Sequence, residues 1–344
     1  MKTTQIDDKP LKSHPGFHIW FFNHPVFYGI GDQLHFLFKY FQQMGGSVTC
    51  GRQPSNQRCN IVIENFDQQA VQHIKTFCQS RGKSISIVLT EHVDIHTKDS
   101  LPNYKQLELK SSSIHLHGKS VDKEFSYLPL PVLIQRSNCL LALREVTSNY
   151  FRLGDLPEMK GFSYLAHNRK VDTLWFPKLN SAFIDKTEAP SYDFIFLGAK
   201  TEFRESVINT LKDFGFTFVP TFNGVSIKQR HIQYKQARFC LNIPQDETWP
   251  WLSPMRIISA LQAGLPVLSI GTNDTSAISV CTRQVPMVEG MIDTNQIRDM
   301  LASHETEALK ALIAYEELAA TDNTMSISLL NSLNSWALTD GIVL

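Results

Sequence analysis

Apolar and polar positions along this chain fall into two blocks, each repeating a short apolar run followed by a segment with helical spacing. The first run, Phe17–Asn23, has the length and composition of a buried strand. A turn containing Gly29 and Gly31 follows, and Leu34, Leu37, Phe38 and Phe41 then mark one apolar face of a helix over Asp32–Met44 that stops at Gly45-Gly46. Ser47–Cys50 and Asn60–Ile63 read as strands, Asp67–Arg81 as a helix and Ile85–Leu89 as a strand. The polar, aperiodic stretch Glu91–Lys123 reads as a long loop. The apolar run Cys139–Leu143, a helix near Ser148–Leu153 and Phe162–Leu165 complete the block.

Between Pro177 and Pro190 the periodicity stops and turn formers collect, which marks a linker. The second block predicts a strand at Tyr192–Leu197, a helix at Thr201–Phe214 and a strand at Phe216–Val219. A helix at Ile227–Gln236, a strand at Phe239–Ile243, a helix at Pro254–Ala263 and a strand at Pro266–Ile270 follow. Helices dominate from Thr294 to Glu317 and again from Met325 to Leu338. Strands alternating with helices imply an α/β chain with two parallel-sheet domains and a helical C-terminal tail. The expected partition is 1–180, 181–324 and 325–344, the last a helix packing back toward the first domain.

Composition narrows the class. At 344 residues, two domains are the default expectation, and 42% hydrophobic with 19% charged residues is ordinary for a folded protein. Thirty-three basic residues balance thirty-three acidic ones, so no overall field draws the chain to nucleic acid or an anionic membrane. The six cysteines form no close pair of the kind that binds zinc or cycles redox, and read as free buried thiols. No apolar run nears the roughly 20 residues of a membrane span. A cytoplasmic protein is expected.

In open parallel sheets, ligands bind beyond the carboxyl ends of the strands. That rule selects the stretches 24–32 and 90–92 in the first half, and 198–204, 244–256 and 271–275 in the second. Gly29 and Gly31 permit tight turning, and Asp32 serves either as helix N-cap or as a general base. His24 follows the same strand, with Glu91 and His92 after a neighbouring one; a carboxylate-held imidazole is a standard proton acceptor, although a histidine at a strand end is often structural. Lys200 and Arg204, one helical turn apart after Gly198, suit a diphosphate or else form a solvated face with Glu202 and Glu205. Arg256 opens a helix at a position where a buried cation calls for an anion. Pro244 and Trp249 lie in the loop where a base could stack.

The segment Ser253–Ser269 resembles the donor-domain stretch of GT-B glycosyltransferases that reads roughly R-[LI]-x-E-A-[LM]-A-x-G-x-P-V-[LV]-[SA], with Arg256, Ala260, Leu261, Ala263, Gly264, Pro266 and Val267 fitting it. Tyr234–Asn242 and Tyr192–Lys200 are similar to the segments that precede it in that family, so the resemblance covers residues 192–270, and the first half by topology alone. It implies two Rossmann-like domains facing a cleft, a nucleotide-sugar donor as substrate, a glycan, lipid-linked or other hydroxyl acceptor, and no cofactor. The absence of an Asp-x-Asp pair implies no metal. Ser259 and Trp251 stand where retaining members carry carboxylates, which points to an inverting displacement with a base from the first half; Ser259 could still bond a ribose hydroxyl. A nucleotide-sugar epimerase of the same fold, and a degenerate sugar-binding protein, remain the alternatives.

Overall fold

The computed structural model describes residues 16–22, 30–64, 67–90, 138–154, 171–179, 189–221, 227–245, 247 and 251–321, and the backbone of three short strands within 108–121. The first lobe contains β1 (Phe17–Trp20), α1 (Gly31–Gln43), β2 (Val48–Gly51), β3 (Cys59–Ile63), α2 (Gln68–Arg81) and β4 (Ile85–Leu89). Next come β5 (Glu108–Lys110), β6 (Ser113–Leu116), β7 (Lys119–Val121), β8 (Thr147–Leu153) and β9 (Val171–Leu174). β1–β4, β8 and β9 form one six-stranded parallel sheet in the order β2-β1-β3-β4-β8-β9. Every residue of β1, β3 and β4 is buried, as a parallel sheet covered on both faces requires.

The second lobe contains β10 (Tyr192–Ile195), α3 (Glu202–Asp213), α4 (Ile227–Tyr234), β11 (Ala237–Asn242), α5 (Pro254–Gln262), β12 (Val267–Ile270), β13 (Arg283–Val285), α6 (Thr294–Ala302) and α7 (His304–Ala320). Its parallel sheet runs β10-β11-β12-β13, and on the other edge of β10 Phe194 bridges to Phe218 through main-chain bonds with Thr217 and Val219. Counting that segment as second in chain order, the second sheet places its strands 2-1-3-4-5 and the first 2-1-3-4-5-6. Each therefore has its topological switch point between the first and third strand, at β1/β3 and at β10/β11.

Local chemistry explains the helix ends. Asp67 caps α2 by accepting from the Ala70 amide at 2.7 Å, and Thr201 caps α3 through the Arg204 amide. Pro254 stands at the start of α5, where its missing N–H costs nothing, and Gly264 ends the helix with φ of +66°.

The lobes are in contact. α1 packs on α5, and one buried cluster runs from Ile19, Leu37 and Phe41 of the first lobe to Ile257, Leu261 and Cys240 of the second. α7 reaches back across the divide: Tyr315 donates to the Pro177 carbonyl at 2.9 Å, and the Leu318 carbonyl accepts from the Trp175 indole at 2.8 Å.

Three expectations are corrected. Residues 148–153 belong to a strand, not a helix, because adjacent Tyr150 and Phe151 enter two different cores on opposite faces of the sheet, which only a period of two allows. The stretch read as a loop carries the antiparallel strands β5, β6 and β7. The helices expected from Thr294 are α6 and α7, which meet at Ser303. Asp32 is not the N-cap: α1 starts at Gly31, preceded by Ile30, and Asp32 lies in its first turn. The helix expected at 325–338 and the apolar run Phe162–Leu165 fall outside the described residues.

On the far side of the second lobe, buried Glu307 accepts from Arg283 and Lys310. The hydrogen bond from Arg283 holds its carboxyl below the ordinary 4.5. A depressed carboxylate contributes stability that is complete above the unfolded value and is lost as pH falls through the folded one. Glu307→Gln is therefore expected to be less stable than the native chain at neutral pH, with the difference shrinking in acid melts below pH 4.5. A difference that stays constant down the pH series contradicts the assignment.

Candidate active site

The carboxyl edge of the second sheet is built around two arginines that share one aromatic ring. The ring of Phe196 has the guanidinium carbon of Arg204 at 5.4 Å from its centroid and that of Arg256 also at 5.4 Å. Arg204 is 4% exposed, which rules out the solvated helix face considered from sequence. It donates to the carbonyls of Ala199 at 3.0 Å, Ile243 at 3.0 Å and Pro244 at 3.1 Å, and so ties the turn after β10 to the turn after β11. Lys200 stands out in solvent beside Glu205.

Arg256, in the first turn of α5, reaches across the ends of both strands. Its Nε donates to the Leu197 carbonyl at 3.2 Å and its Nη1 to the Asn242 side-chain oxygen at 2.7 Å. A Cβ placed on Gly198 would lie 3.1 Å from Nη2, so a glycine is what lets the guanidinium come this close to the turn. Burial lowers the pKa of Arg256 from its ordinary value, a desolvation that a bound anion would relieve. Among the described residues no carboxylate lies within ion-pair distance of it. Its hydrogen-bond partners among the described residues are neutral. Ser259, one turn further along, is buried with its hydroxyl 3.4 Å from that of Tyr234.

The first lobe presents the N-terminal turn of α1 to this region. Asp32 is engaged by Arg230 of α4 in a bidentate pair: Nη2 to Oδ1 at 2.7 Å and Nη1 to Oδ2 at 2.9 Å. This ion pair joins the two lobes, and Asp32 also raises the Arg256 pKa through space, though less than burial lowers it. His35 on α1 and His231 on α4 flank the pair, and burial first, then neighbouring Lys39 and Arg230 respectively, lowers both from 6.5. Glu64, at the carboxyl end of β3, is buried and accepts from the Thr90 amide and hydroxyl.

Of the residues selected from sequence, the structure brings Gly198, Arg204, Pro244 and Arg256 together around Phe196 and places Gly31 and Asp32 across from α4. His24, Gly29, Glu91, His92 and Trp249 lie outside the described residues. Sequence reasoning missed Phe196, Asn242 and Arg230. Asn242 carried a usable signal, as the one polar residue closing the apolar run Phe239-Cys-Leu. Arg230 carried none, since its partner is 198 positions away.

No known family description matches the chain, and no curated protein matches it. Solved structures of similar outline include T4 phage BGT in complex with its UDP-glucose substrate, at 12% identity over 94% of this chain and 98% of that one, with a TM-score of 0.48. WaaG, a glycosyltransferase involved in lipopolysaccharide biosynthesis, is 12% identical over 94% of this chain and 99% of that one, with a TM-score of 0.45. The pneumococcal O-GlcNAc transferase GtfA, in complex with UDP and GlcNAc, is 10% identical, with a TM-score of 0.41. The match to GtfA covers 81% of this chain and 56% of that one. No helix among the described residues is long and apolar enough to cross a membrane.

Proposed function

We propose that this chain is a glycosyltransferase that moves a sugar from a nucleotide-sugar donor to an acceptor hydroxyl. The observation that carries the reading is Arg256: a desolvated cation, without a carboxylate partner among the described residues, at the switch point of the second sheet and close to the opposing lobe. A diphosphate is the anion whose size and charge suit such a place. The two-lobed α/β architecture is the one that the resemblance of residues 192–270 to GT-B donor domains implies.

In this reading the reaction is an inverting single displacement that needs no metal. The acceptor oxygen attacks the anomeric carbon as the bond to the diphosphate breaks, and Arg256 stabilises the charge that develops on the departing phosphate. Lys200 joins it from the surface as a mobile point charge, and Arg204 serves by fixing the two turns that flank the anion. The acceptor proton goes to a first-lobe group. Both oxygens of Asp32 are occupied by Arg230, so His24 is the base this reading favours, with Asp32 next in line. Glycans, lipid-linked sugars and other hydroxyl compounds are the acceptor classes.

The test is a thermal-shift screen of nucleoside diphosphates and their sugar conjugates, followed by a donor hydrolysis assay with no acceptor added. A transferase raises its melting temperature with one nucleotide family and slowly releases free sugar from the matching donor. Stabilisation by a conjugate with no hydrolysis and no transfer to any acceptor class makes the chain a binding protein. Conversion of donor to an isomer with the diphosphate bond intact makes it an epimerase.

A further inference from the structure

The group that holds Arg256 is as informative as the arginine itself. Asn242 closes β11 and is 1% exposed. Its side-chain oxygen accepts from Arg256 Nη1 at 2.7 Å, and its amide nitrogen donates to the Ser269 hydroxyl at 2.7 Å. Ser269 in turn donates to the Asn242 main-chain carbonyl at 3.1 Å and accepts from the Thr272 hydroxyl at 2.8 Å. The single hydroxyl proton of Ser269 is thus committed to a carbonyl, so Ser269 can only accept from the amide. That fixes which end of the amide faces the arginine. The chain of bonds runs from the loop after β12, through the end of β11, to Arg256, and every member except the arginine is uncharged.

Aspartate has the same size and shape as asparagine and would grip a guanidinium more strongly. It would also cancel the charge. A buried arginine held by a carboxylate is a closed ion pair, whereas one held by amide and carbonyl oxygens keeps its whole charge for something else. Nη2, which approaches the turn at Gly198, is the guanidinium nitrogen with no hydrogen bond among the described residues. Phe196 beneath the plane supplies a weak, neutral attraction.

We infer that Asn242 is a positioning residue that aims Arg256 at a bound diphosphate while leaving its positive charge uncompensated. The inference deepens the transferase reading and rests on it for the identity of the anion, but the anion site itself can be probed without a nucleotide.

The experiment titrates inorganic pyrophosphate, and separately the nucleoside diphosphate found in the thermal screen, into the native chain, Asn242→Asp and Asn242→Leu, with melting temperatures measured alongside. Asn242→Asp keeps a bond to Arg256 but removes the net charge; Asn242→Leu loses the bond and keeps the charge. Affinity for pyrophosphate is expected to fall at least tenfold in Asn242→Asp and less in Asn242→Leu. Stability is expected to rank the other way, with the leucine variant melting lower.

A purely structural asparagine gives the same rank for both quantities, with the leucine variant weaker in each, and that result overturns the inference. So does an aspartate variant that binds like the native chain, one that fails to fold, or a native chain that does not bind pyrophosphate. Retention of the predicted pyrophosphate ranking together with no response to any nucleotide keeps the positioning role and removes the transferase.

Discussion

Arg256→Ala is expected to weaken binding of nucleoside diphosphates at least 100-fold in calorimetric titration and to abolish donor turnover. The magnitude follows from the position of the charge. A desolvated arginine facing a phosphate with little water between them gives a charge-assisted bond about twice as strong as a neutral one, in surroundings that screen it weakly. The substitution also leaves the Asn242 side-chain oxygen and the Leu197 carbonyl without the donor that now serves them. Each unsatisfied acceptor costs about 1–3 kcal/mol, so a lower melting temperature accompanies the loss. Arg256→Lys separates the two effects. It keeps the charge but cannot span Leu197 and Asn242 together, so affinity recovers in part while the loop geometry does not. Unchanged affinity in the alanine variant removes Arg256 from the anion site.

The second large effect concerns the bridge between the lobes. Arg230 and Asp32 expose only 17% and 26% of their side chains and meet in a bidentate arrangement. Removing one partner leaves the other charge partly buried and alone, which costs about 2–4 kcal/mol. Asp32→Ala and Arg230→Ala are each expected to lower the melting temperature by several degrees. The double variant is expected to lose less than the sum of the two. Solution scattering is the companion measurement, because the pair joins α1 to α4 across the lobes. Additive losses in the cycle would show that the two groups do not act as a unit. Turnover in Asp32→Asn bears on the base: a loss of about 10²–10⁴ with donor affinity kept assigns the proton to Asp32, and near-normal turnover leaves it to His24.

The order of strands and helices was legible wherever one face of a segment is consistently apolar. α1, α2, α3 and α5 follow from such spacing within a residue or two, and Gly264 and Pro254 mark the limits of α5. The strands that escaped are short or polar. β9 carries buried Asp172, and β13 is a three-residue edge of Arg283, Gln284 and Val285, so neither shows an apolar run. β8 escaped because its buried side chains Tyr150 and Phe151 are adjacent and enter different cores, so the simple alternation that separates strand from helix is missing.

The site was legible as a set of loops and illegible as a set of bonds. A rule about strand ends finds Gly198, Pro244 and Arg256. It cannot show that Arg204 turns inward to hold main-chain carbonyls, nor that Asp32 is taken by an arginine from the other lobe. Those depend on packing between segments far apart in sequence. A buried cation at Arg256 calls for an anion. The structure supplies neutral partners in Leu197, Asn242 and Phe196, which satisfy its geometry without cancelling its charge.

A diphosphate gripped at the carboxyl edge of the second sheet is tested most directly by comparing one nucleoside with its own mono- and diphosphate by calorimetry on the native chain. The diphosphate is expected to bind at least 100-fold more tightly than the nucleoside, with an affinity that falls as salt is raised. Equal affinities for the three compounds, or no binding of any of them, contradict it.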